Sequence, residues 1–84
     1  MVRDNPEESR FDIYAGKQAV GYLKYRIHAG QMVLLETAID RRHRMDNLTP
    51  LLISHALREA RRRGLAIQPL SPAVRQFLAI NHQP

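Results

Sequence analysis

From Arg10 onward the chain alternates apolar and polar positions. Phe11, Ile13 and Ala15 fall on one side, and Asp12 and Tyr14 on the other, which is the period of two expected of a strand. Gly16-Lys17 breaks the pattern as a tight turn. Gln18 to His28 resumes it with aromatic and β-branched residues; strict alternation sends Val20, Tyr22 and Lys24 to one face and Leu23, Tyr25 and Ile27 to the other. Ala29-Gly30 marks a second turn. Gln31 to Asp40 reads as a third strand, and its unbroken Met32-Val33-Leu34-Leu35 run predicts burial on both faces. Strands joined by such short turns form an antiparallel meander.

The period then lengthens. Leu52, Ile53, Ala56, Leu57 and Ala60 recur with helical spacing, while Arg58, Arg61 and Arg62 take the opposite side. Thr49 is predicted as the N-cap of this helix, Pro50 as its first residue and Gly64 as the residue that ends it. Leu65 to Pro69 is a short fourth strand. Ser71-Pro72 repeats the cap-and-proline device before a second helix with a narrow stripe of Val74, Phe77 and Leu78. Residues 1–9 are polar with one proline and are expected to be a flexible lead-in, with one domain over 10–84. The class is α+β, in the order β-β-β-α-β-α.

A chain of 84 residues makes one small domain with a modest core. No apolar run is long enough to span a bilayer, and no apolar block follows Arg3 to make a leader peptide. With no cysteine, disulfides are excluded. A cytoplasmic location and no membrane contact are expected. The formal charge of +5 and pI near 10.5 favour an anionic partner, though arginines on a helix also serve as a solvated face. Arg58, Arg61, Arg62 and Arg63, joined by Arg41 and Arg42, would suit nucleic-acid phosphates, but no recognised nucleic-acid motif accompanies them. His28, His43, His55 and His82 lack metal-ligand spacing, so no metal site is expected. Tyr14, Tyr22 and Tyr25 read as packing residues. The small core and an open sheet edge are compatible with a dimer.

Arg44-Met45-Asp46-Asn47-Leu48-Thr49-Pro50 joins the third strand to the first helix. Free N–H groups and the positive helix end meet at such a junction and can hold a phosphate. Here the junction is rich in arginine and contains no glycine. Taken with Gly21-Tyr22-Leu23-Lys24-Tyr25-Arg26, Glu36-Thr37-Ala38-Ile39, Pro69-Leu70-Ser71-Pro72-Ala73-Val74 and the tail Phe77 to His82, this segment resembles the compact single-domain GNAT-type N-acetyltransferases over roughly residues 10 to 82. The resemblance implies a GNAT-like core, acetyl-CoA as cofactor and an amine as acetyl acceptor. It implies a gap between the strands flanking the first helix for the pantetheine arm, and a loop wrapping the diphosphate. The cofactor-binding residues it assigns are Thr37, Ala38, Ile39, Arg44, Met45, Asp46, Asn47, Leu48 and Thr49.

Arg44 matches the loop motif of that family, while Asn47 and Thr49 stand where it carries small residues. Asparagine is the non-glycine residue best suited to a left-handed backbone, so Asn47 can keep the loop shape. Thr49 adds a branched side chain. Asp46 brings a negative charge beside the expected phosphates, a repulsion of roughly 1–4 kcal/mol at about 4 Å. The family's catalytic positions fall on Glu36, Ala38 and Ser71. Glu36 is the candidate base, or else a strand-end carboxylate paired with a nearby arginine. Ser71 is the second catalytic candidate, or else a helix N-cap. The alternative to an acetyltransferase is an inactive GNAT-fold binding module.

Overall fold

Both hairpin turns rest on left-handed backbone. Gly16 has φ 62°, and Ala29 and Gly30 have φ 51° and 76°. Two successive positive-φ residues give the primed turn whose twist suits antiparallel strands. These turns join β2 (Arg10–Ala15), β3 (Gln18–His28) and β4 (Gln31–Ile39) into the expected meander. The computed structural model describes residues 1–81; His82, with the end of the expected domain at 84, lies outside the described residues.

Residues 1–9 are a correction to the expected lead-in. Val2–Asn5 forms an edge strand, β1, antiparallel to β2, and Pro6–Glu8 forms a short 3-10 turn. Its sequence carries one apolar residue, so its place comes from long-range contacts. Asp4 accepts a 2.6 Å hydrogen bond from the Tyr25 hydroxyl and a 2.5 Å bond from the Arg63 guanidinium. The element order is therefore β-β-β-β-α-β-α, a mixed α+β sheet in the order β1-β2-β3-β4-β5. β5 (Ala66–Pro69) runs parallel to β4, reached through α1 (Thr49–Arg62), and α2 (Pro72–Ile80) follows. Gly64, at φ 70°, releases the chain from α1 as predicted.

Two bulges alter the predicted alternation. Ile13 pairs with Gly21 but Tyr14 pairs with Ala19, which leaves Val20 as an extra residue in β3. Val20 thus joins Leu23 and Tyr25 in the core rather than sharing the face of Tyr22. Lys24 pairs with Glu36 and Tyr25 with Leu34, so Leu35 is the extra residue in β4. Met32, Val33 and Leu34 are buried as expected, whereas the bulged Leu35 is only partly buried. The main core combines Phe11, Ile13, Leu23, Met32 and Leu34 of the sheet with Leu52, Ile53, Ala56, Ala60 and Val74 of the helices. Full burial of each large side chain stabilises by roughly 1.5–3 kcal/mol.

Residues paired across neighbouring strands share a face of the sheet. Phe11, Leu23 and Thr37 form one such row, and its first two members are in the core under the helices. Asp12, Tyr22 and Ala38 form the row on one side of it, and Lys24 with Glu36 the row on its other side, both on the opposite face. Asp12 is buried yet satisfied, accepting from Arg10 Nε at 2.8 Å and Asn5 Nδ2 at 3.1 Å. Gly21 is confined by sterics: a Cβ there would meet Ile39 Cδ1 at 2.6 Å and the Ala38 carbonyl oxygen at 2.9 Å.

Candidate functional site

The site begins where β5 parts from β4. Parallel pairing ends at Leu34–Pro69, and the Leu34 carbonyl accepts from both Leu70 N (3.0 Å) and Ser71 N (2.9 Å). These bonds turn the chain into α2. Beyond them, the edge of β4 that faced β5 has no strand beside it among the described residues. Thr37, Ala38 and Ile39 lie on this unpartnered stretch. Bulges recur beside functional sites because they re-aim a strand, and the Leu35 bulge sits at the start of this one.

The loop after β4 is a 3-10 turn, η2 (Arg41–Asp46), closed by Asn47. Asp40 caps it, accepting from Arg42 N at 2.9 Å and from the Arg42 guanidinium at 3.1 Å. These bonds to Arg42 hold the Asp40 carboxyl below its ordinary range. Asn47 adopts φ 56°, ψ 46°, the left-handed conformation its residue type suggested. Leu48 follows at φ −85°, ψ −25°. Left-handed then right-handed residues turn three successive N–H groups, those of Asn47, Leu48 and Thr49, toward one concavity of the kind that binds anions. Among the described residues none of the three has a hydrogen-bond acceptor.

Thr49 corrects one sequence expectation. The N-cap is Leu48, whose carbonyl accepts from Leu51 N and Leu52 N, both at 3.1 Å, and no side chain caps the helix. The left-handed Asn47 starts the helix one residue early, so the Thr49 hydroxyl falls inside the first turn. The helix mouth is consequently open. Asp46 does not fill it either: its Oδ2 lies 2.8 Å from His43 Nδ1. Arg41 and Arg44 are exposed and, among the described residues, have no ion-pair partner.

Beside this mouth lies an apolar groove of about 500 Å³ between the start of α1 and α2. Asn47, Thr49, Pro50 and Ile53 form one wall, and Ala73, Gln76, Phe77 and Ile80 the other. Thr37, Ala38 and Ile39 are not in its lining, and neither are Met45 and Leu48. Met45 is almost fully exposed. The structure thus brings Asn47 and Thr49 to a cavity, and sets the β4 residues along the separate free edge.

The catalytic candidates are apart from one another in kind. Glu36 is exposed and lies 3.8 Å from Lys24, a lysine across the strand pair rather than an arginine. Ser71 is buried, and its Oγ accepts from Val74 N at 3.3 Å as the N-cap of α2. The arginine face is partly committed. Arg62 and Arg63 both bond Glu59, and Arg63 also bonds Asp4. Arg62 and then Arg63 pull the Glu59 carboxyl down to about 2. Arg58 and Arg61 remain outward and without ion pairs among the described residues. No group of three or more His, Asp or Glu side chains is placed to hold a metal among the described residues. No described helix is long and apolar enough to cross a membrane.

Sequence reasoning missed Asp40, Asp4 and the bond between His43 and Asp46. The His43-x-x-Asp46 spacing was a usable signal, since residues three apart face each other in a helical turn. A family model described as GCN5-related N-acetyl-transferase matches residues 10–83, and the chain belongs to that family. No curated protein matches the chain in sequence. β1, with Asp4, lies outside the matched span.

Proposed function

We propose that the chain binds acetyl-CoA at the mouth of α1 and transfers the acetyl group to a primary amine. The observation that carries this reading is the open concavity of Asn47, Leu48 and Thr49 amides beside the groove between α1 and α2. Three free N–H donors and the positive helix end suit a diphosphate, and Arg41 and Arg44 add charge. The apolar groove wall suits an aliphatic arm, and the free edge of β4 offers backbone groups to its amides. Acetyl-CoA would supply an activated acyl carbon and a thiol leaving group.

On this chain's side, an incoming ammonium must lose a proton. Glu36 is the proposed acceptor: it is exposed on the face opposite the helices, next but one to Ala38. Leaving its contact with Lys24 costs little, since exposed pairs are worth about 0–1 kcal/mol. Binding without turnover is the second reading. Its support is Ala38, which has no group to move a proton, and Ser71, whose oxygen already caps α2.

Calorimetry with acetyl-CoA, read alongside amide shifts of residues 47–49, tests the first claim. Binding with shifts centred on those amides is expected; no response at millimolar ligand refutes it. Release of free thiol with a polyamine or a lysine peptide, lost in Glu36→Gln, tests the second. Binding with no release establishes the non-catalytic reading instead.

A further inference from the structure

Asp46 immediately precedes three unsatisfied amides, and an aspartate there has an obvious alternative to its present bond. Aspartate side chains commonly accept from the N–H two or three residues onward, and they are among the best helix caps. Asp46 could reach Leu48 N–H and Thr49 N–H in that way. Instead its carboxylate bonds His43 Nδ1 at 2.8 Å. A carboxylate only accepts, so Nδ1 carries the proton. Arg42 is already engaged by Asp40, which leaves His43 as the side chain that holds Asp46.

We propose that His43 is a positioning residue that holds Asp46 off the amides of Leu48 and Thr49 and so keeps them free for an anion. This rests on the reading of these amides as the diphosphate site. With His43 removed, Asp46 folds back as a cap and competes with the ligand for the same donors. The residue whose charge disfavours coenzyme is thereby tolerated, because its neighbour three positions earlier restrains it.

The latch itself is tested without ligand. In His43→Ala, the amide protons of Leu48 and Thr49 shift downfield as they gain an acceptor. In His43→Asn, whose amide nitrogen can stand near the imidazole Nδ1 position, they stay close to the parent values. Acetyl-CoA is then the probe. The dissociation constant rises about tenfold in His43→Ala, the size expected of losing donors to a good cap, and returns toward the parent in His43→Asn. In an Asp46→Ala background, His43→Ala changes affinity by less than about twofold, because distant or uncoupled effects would otherwise persist there. Unchanged Leu48 and Thr49 amides in His43→Ala overturn the proposal. So does an equal affinity loss in both backgrounds, which would make His43 a direct ligand contact. The expected amide shifts with no acetyl-CoA binding by any variant support the latch and overturn the coenzyme reading alone.

Discussion

Replacing Asp4 with alanine should cost this domain much of its stability, although Asp4 sits in a strand that the sequence pattern left unread. Its carboxylate joins three elements: β1, the Tyr25 hydroxyl on β3 and Arg63 at the end of α1. Tyr25 is only 6% exposed, so removing Asp4 leaves a part-buried hydroxyl without its acceptor. A buried donor left unpaired costs about 1–3 kcal/mol, and hydrogen bonds to charged groups are worth about 1.5–3 kcal/mol. Arg63 keeps Glu59 and sits partly in solvent, so its share is small. We expect a net loss of about 2–3 kcal/mol, or about 10–20 °C in Tm for a domain of this size. Thermal melts followed by circular dichroism measure it, with Tyr25→Phe and the double variant completing a cycle. The coupling should be strong, with Asp4→Ala costing far less once Tyr25 is phenylalanine. Equal costs in both backgrounds, or a melting shift under about 4 °C, would refute the role given to the Asp4–Tyr25 bond. The phenol gives an independent reading. Burial first, then the bond to Asp4, pushes Tyr25 up to about 12. Its folded value exceeds the unfolded one, so this contribution to stability is present below about pH 10 and fades as pH rises through about 12. Spectroscopic titration of Asp4→Asn should move the phenol back toward its ordinary value.

Other outcomes follow from the same geometry. Gly21→Ala drives a Cβ against the Ala38 carbonyl oxygen at 2.9 Å and should destabilise by about 1–3 kcal/mol, read as a lower denaturant midpoint. Glu59 is depressed to about 2 in the folded state, so its contribution holds above its ordinary value and fades as pH falls toward 2; Glu59→Gln should flatten that part of an acid titration. Ser71→Ala removes the α2 cap and should cost about 0.5–2 kcal/mol, whereas Ser71→Thr keeps a capping hydroxyl and, if Ser71 is only a cap, any thiol-releasing activity as well. Ile53→Asp places a charge in the core and should leave the chain unfolded by circular dichroism.

Local signals carried most of this fold. Gly16, Gly30 and Gly64 marked turns by the backbone they permit, Ser71 announced its helix, and Asn47 was legible as a left-handed residue. Where the outcome depends on contacts far along the chain, the sequence was silent. β1 owes its place to Tyr25 and Arg63, tens of residues away. The bulges at Val20 and Leu35 arise from register between strands, which no single strand encodes. Thr49 looked like a cap because threonine before proline usually is one; the turn preceding it moved the helix start by a residue. For the site, residue types indicated where a phosphate could sit, whereas the orientation of Asp46 depended on a partner in the folded turn.

A loop built on asparagine rather than glycine has a thermodynamic corollary. Glycine-rich phosphate loops forfeit chain freedom when they settle around a ligand, and that loss is subtracted from affinity. Here the turn is fixed beforehand by the Asp40 cap and by the left-handed Asn47 that closes it. Ligand capture should consequently show a small ordering entropy, and engineering glycine into position 47 would loosen the receptor without adding a single contact.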